Sequence, residues 1–102
     1  VYQARLIKKL HKLFPGCIVL KNDTEYKQGF PDLTILYHTM WAVLEVKADE
    51  DSPIRPNQNY YVEKLNEMSF AAFIYPQNEE AVLHELQQAF EPRRPSRVSL
   101  PQ

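Results

Sequence analysis

Apolar and polar positions follow two different periods along this chain, and the switches between them lay out seven elements. In residues 2–14, Leu6, Ile7, Leu10, Leu13 and Phe14 recur at helical spacing with basic residues between them, and Pro15-Gly16 stops the run. Cys17-Ile18-Val19-Leu20 is a short apolar run that reads as a first strand. Residues 21–30 are polar without a regular period and form a loop. Residues 33–37 and 41–47 read as two further strands, joined by the short connection His38-Thr39. An acidic, proline-containing connection over 48–56 leads to a helix over 57–68, with Asn57 as its candidate cap and Tyr61, Val62, Leu65 and Met68 as its buried stripe. Residues 70–75 form a fourth strand, ended by Pro76. A last helix over 79–90 turns Val82, Leu83, Leu86 and Phe90 inward and carries acids in its first turn, where the helix dipole favours them.

The order helix, three strands, helix, strand, helix predicts an α/β domain: a mixed sheet of about four strands flanked by helices. A crossover through a helix makes the third and fourth strands parallel, joined right-handedly. One domain over residues 1–91 accounts for the pattern. Residues 92–102, rich in proline and arginine and lacking an apolar period, read as an extended tail.

The hairpin carries the chemistry. If its pairing is centred between His38 and Thr39, Tyr37 faces Met40 and the ladder runs back to set Asp32 opposite Glu45. Alternation puts Glu45 and Lys47 on one face, with Leu44 and Val46 on the other. Directly opposed like charges destabilise a sheet. Two carboxylates and an ammonium at one spot therefore point to a divalent metal and a phosphate.

Composition narrows the setting. A chain of 102 residues, 44% hydrophobic and 25% charged, suits one water-soluble domain with a single core. The lone Cys17 can form no internal disulfide, which favours a reducing, cytoplasmic setting, and its plain reading is a small buried hydrophobe. No stretch is long enough to span a bilayer, and the N-terminus lacks a signal-peptide pattern. A net charge of −1 argues for no nucleic-acid partner by itself. Its distribution is more suggestive, with Arg5, Lys8, Lys9, His11 and Lys12 on the first helix, Lys21 and Lys27 after it, and arginines in the tail. A solvated helix face and a DNA-facing patch explain the first cluster equally well. His11, His38 and His84 lie on separate elements without the spacing of a zinc site and read as surface residues.

Gly29-Phe30-Pro31-Asp32-Leu33, the hairpin and Leu44-Glu45-Val46-Lys47 together resemble the core motif of the PD-(D/E)XK nuclease superfamily. Residues 56–65 and the fourth strand extend the resemblance to its VRR-NUC group, over roughly residues 2–90. The resemblance implies a restriction-endonuclease-like core (α-β-β-β-α-β-α) and a Mg2+- or Mn2+-dependent DNA endonuclease. Such an enzyme would be selective for junctions or flaps, or would nick, in phage or bacterial replication, repair or recombination. A phage-encoded protein would then work in the host cytoplasm. Asp32 and Glu45 would supply carboxylates to the metal and the Val46 carbonyl a third ligand. Lys47 would position the attacking water or stabilise the transition state, and Gln58 would orient the water or contact the phosphate. Lys8, Lys12, Lys21, Lys27 and Tyr60 are the candidate DNA contacts. Tyr26, Phe30 and Tyr61 could also stack on unpaired bases, although tyrosines near a core edge more often pack. A chain this short holds one site and little DNA-binding surface, which together with the family resemblance implies a homodimer presenting two sites.

Each role has a plainer competitor: Asp32 could cap a turn after Pro31, and Glu45 and Lys47 could be solvent-facing residues of an edge strand. Many relatives carry a further acid in the first helix. Here that helix offers Gln3 and no Asp or Glu, so the acid lies before Val1 or Gln3 takes a reduced version of its role. A catalytically silent nucleic-acid-binding module and a replication-complex subunit with the same fold remain the alternatives.

Overall fold

A computed structural model of the chain describes residues 1–23 and 25–91; the tail expected over 92–102 lies outside the described residues. The elements run α1 (Tyr2–Leu13), β1 (Ile18–Lys21), β2 (Leu33–Tyr37), β3 (Met40–Val46), α2 (Pro56–Met68), β4 (Phe70–Ile74) and α3 (Glu79–Ala89). The four strands form one mixed sheet in the order β1-β2-β3-β4, with β1–β2 and β2–β3 antiparallel and β3–β4 parallel. Both the order of elements and the mixed sheet match the expectation from periodicity.

Strand alternation divides the apolar residues between two layers. On one face, Leu33, Ile35 and Leu44 meet Leu6, Leu10 and Phe14 of the α1 segment and Val82, Leu83 and Leu86 of α3. Phe90 closes this core, its ring 5.2 Å from that of Phe14. On the other face, Val43 and Ala71 pack against Val62 of α2, with Phe30, Trp41, Leu65 and Phe73 around them. The sheet is thus sandwiched, α1 and α3 on one side and α2 on the other. β3 is buried on both faces, which is why its residues read as a near-continuous apolar run.

The hairpin pairs Tyr37 with Met40, as its two-residue connection predicts. His38 takes a positive φ of 56° to close it, and its ring rests 4.2 Å from that of Tyr37. Cys17 precedes β1 and is buried. His11, His38 and His84 are exposed.

Two details of α2 correct the sequence reading. Arg55, not Asn57, occupies the cap position. Pro56 fits the first helical position because no intrahelical acceptor exists there for a backbone N–H. The Gln58 side chain then folds back to accept the Arg55 N–H at 3.0 Å, leaving Asn57 inside the first turn. Met68, assigned to the buried stripe, is 62% exposed. Its neighbour Ser69 turns toward the sheet instead, donating its hydroxyl to the Trp41 carbonyl as the chain enters β4.

Candidate active site

Asp32 and Glu45 reach one place because β2 and β3 are in the expected register. The last ladder pair is Leu33 with Leu44, so one step further sets Asp32 against Glu45. Asp32 is fixed there: its Oδ2 accepts the Val46 backbone N–H at 2.9 Å. A second step sets Pro31 against Val46. A strand residue's N–H and C=O point the same way, so the Val46 carbonyl also faces this end of β2. Proline brings no N–H to meet it. Lys47, one residue on, faces β4 with its backbone and donates to the Ile74 carbonyl at 2.8 Å.

Glu45 is only 5% exposed, the one buried charged residue among those described. Its carboxylate accepts from Gln58 Nε2 at 3.1 Å. Lys47 Nζ stands 3.6 Å from the same oxygen and donates to Gln58 Oε1 at 2.8 Å and to the Pro53 carbonyl at 3.0 Å. Gln58 Oε1 therefore serves both Lys47 and the Arg55 backbone, an orientation dictated by two neighbours that can only donate. Glu45, Gln58 and Lys47 close a triangle, and Asp32 lies beside it. Burial first, and then the Asp32 carboxylate, push the Glu45 pKa up to about 7 against the opposing pull of Lys47.

A cleft of about 380 Å³ opens over this group, bounded by Asp32, Glu45 and Gln58 together with Gly29, Arg55 and Asn57. The loop wall is set tightly. Gly29 has φ +87°, and a Cβ there would fall 2.6 Å from Asn57 Cγ, so only glycine lets this loop rest on the first turn of α2. Asn22 anchors the same loop from the other side: it donates to the Pro31 carbonyl at 2.8 Å and accepts from the Thr34 hydroxyl at 3.0 Å. Asp49, Glu50 and Asp51 are exposed in a turn braced by their own hydrogen bonds, including Asp51 N–H to Asp49 Oδ1 at 2.8 Å.

The other expected residues are more scattered. Lys8 and Lys12 are exposed on α1, which packs on the sheet face opposite the cleft. Lys21 is exposed at the end of β1, and Lys27 is exposed in the loop that leads to Asp32. Tyr60 is 58% exposed on α2, its ring 5.2 Å from that of Tyr61. Gln3 is half-buried on α1, and no hydrogen bond among the described residues joins it to the acid–lysine group. Arg55, Asn57 and Asn22 were not singled out by sequence reasoning. Their roles depend on backbone groups and on packing against a glycine, which leave no periodic signal.

Among the described residues, no three His, Cys, Asp or Glu side chains converge on one point. Two carboxylates and a carbonyl suit a hard cation that keeps several waters, as Mg2+ does. No protein-family model, no curated protein and no solved structure matches the chain.

Proposed function

We propose that the protein is a Mg2+- or Mn2+-dependent DNA endonuclease with a restriction-endonuclease-like core, acting on branched or flapped DNA in phage or bacterial replication, repair or recombination. The observation that carries this reading is the triangle of Glu45, Gln58 and Lys47 closed beside Asp32 under an open cleft. A structural ion pair needs no second carboxylate, and placing Asp32 there raises its electrostatic cost. A cation site needs both.

Asp32, Glu45 and the Val46 carbonyl would hold the metal. A divalent cation held by them would supply an acidified water and offset the charge gathering on the scissile phosphate. Lys47 is held in place for its part: two neutral acceptors, Gln58 Oε1 and the Pro53 carbonyl, take its hydrogen bonds, and the Glu45 carboxylate stands 3.6 Å away. Its charge would offset the negative charge gathering on the phosphate as bond breaking proceeds. Gln58 is a positioning residue that ties the ammonium to Glu45 across the strand–helix gap. A homodimer presenting two such sites is the form this reading assigns for cutting two strands.

The test is cleavage of plasmid, linear duplex, flap and four-way-junction DNA with Mg2+ or Mn2+, alongside Lys47→Ala. Metal-dependent cleavage that disappears in a folded Lys47→Ala protein supports the reading. Absence of cleavage on every substrate with either metal overturns it and favours a silent binding module.

A further inference from the structure

Next to the cleft lies a second cavity of about 420 Å³, bounded by Asn22, Asp23, Tyr26, Lys27 and Phe30. Phe30 lines both cavities, so they are neighbours with one shared wall. Its ring is backed by Tyr61 at 5.5 Å and belongs to the core under α2, which makes it a fixed surface. Tyr26, across from it, is 86% exposed and touches no other aromatic ring among the described residues. An apolar ring left in water beside a candidate catalytic cleft serves no packing purpose.

We infer that this cavity takes one unpaired nucleobase of the DNA whose backbone lies in the cleft over Asp32 and Glu45. The inference rests on the nuclease reading and names the feature of the substrate that the enzyme selects. A base stacks on aromatic side chains through its π-face, which an intact duplex hides and a flap, branch point or single strand exposes. The polar groups favour the base over its phosphate at this spot. Asp23 repels phosphate, and one of its oxygens already accepts the Glu25 N–H at 2.9 Å. The remaining lone pairs suit an exocyclic amine of cytosine, adenine or guanine. Asn22 is held at both ends of its amide, by Pro31 and Thr34, so it forms a firm floor. Lys27, exposed at the rim, provides the charge for the adjoining phosphate.

The experiment uses the full chain and a flap oligonucleotide with 2-aminopurine at its first unpaired position. Fluorescence and affinity are read in EDTA, and cleavage is read with Mg2+ on flap and uninterrupted duplex. Tyr26→Ala and Tyr26→Phe are compared with the parent protein; Tyr26 is exposed, so neither change disturbs the core. The expected result is quenching by the parent and by Tyr26→Phe. In Tyr26→Ala the quenching is lost and flap affinity falls roughly 5- to 100-fold, the scale of one base–aromatic stack. Equal quenching and equal affinity in Tyr26→Ala overturn the inference, and if cleavage persists the nuclease reading stands without it. Tyr26-dependent quenching in a protein that cuts nothing would uphold the base site and overturn the nuclease reading instead.

Discussion

Two glutamates in this molecule each meet a lysine and a third polar side chain, and they end in opposite states. Glu79, in the first turn of α3, accepts from the Tyr2 hydroxyl at 2.7 Å and from the Lys9 ammonium. Burial alone would raise its pKa; the direct donors Lys9 and Tyr2 outweigh it, with Arg5 adding its charge, and the net shift is downward. Tyr2 is pushed upward by burial and by the same carboxylate. Glu45 is more deeply enclosed, shares its site with Asp32, and has its lysine at 3.6 Å with that ammonium bonded elsewhere; its pKa is raised to about 7. The residue types are the same. One cluster is a clamp between α1 and α3 whose charges are matched, and the other is held short of one positive charge. Unmatched charge of this kind is what the proposed cation would offset.

The contrast can be pushed to failure, and the largest effect lies in catalysis. Lys47→Ala should lower cleavage by about 10²- to 10³-fold, the scale of losing one pre-organised electrostatic donor. Lys9→Ala should leave the rate within about twofold; steady-state cleavage assays on the two variants check this, and similar losses in both would erase the distinction. Stability should then separate the glutamates. Above pH 7, and without metal, Glu45→Gln should stabilise the fold by up to roughly 2–3 kcal/mol, because a buried charge beside Asp32 is removed. Glu79→Gln should destabilise it by about 1 kcal/mol or less, as expected of a partly exposed pair. Urea denaturation of both variants at pH 8 reads the two signs.

The dependence of stability on pH sharpens the same point. Glu45 titrates near pH 7 in the fold and at the ordinary 4.5 when unfolded. The native state thus binds the extra proton between those values, and stability falls as pH rises from 4.5 through 7. Glu79 is shifted down, so its contribution is present above the ordinary glutamate value and is lost as pH falls through its lower folded value. Denaturation midpoints followed from pH 3 to 8 should fall at both ends, with Glu45→Gln flattening only the alkaline limb. The last effect concerns the cation. With a dissociation constant near 1 mM, 10 mM Mg2+ at pH 8 should stabilise the parent by about 1.4 kcal/mol. Glu45→Gln should lose most of that gain and Glu79→Gln none of it, as thermal melts with and without Mg2+ would show.

The fold was largely legible because its strands and helices announce themselves by period. Leu33, Ile35 and Leu44 alternate toward α1 and α3, and Val82, Leu83 and Leu86 recur at helical spacing. The errors fall at element ends, where side-chain hydrogen bonds rather than period decide. Gln58 reaching back to Arg55 moved the α2 cap away from Asn57, and Ser69 took the inward place expected of Met68. Of the candidate site, Asp32, Glu45 and Lys47 could be placed together from a two-residue turn and strict alternation. The wall built by Gly29 on Asn57 could not, since it joins a loop to the start of a distant helix by shape alone.

The sequence by itself pointed to the register that sets Asp32 against Glu45, because a strand's side-chain period is two and a pairing centred on His38-Thr39 runs the ladder back to that pair. Tertiary structure alone decided what that pair would be. Packing α2 over β3 buried Glu45, brought Gln58 between it and Lys47, and turned the lysine's hydrogen bonds toward neutral partners. Charge state depends on desolvation and on distances between side chains far apart in the chain, and neither quantity exists until the layers close.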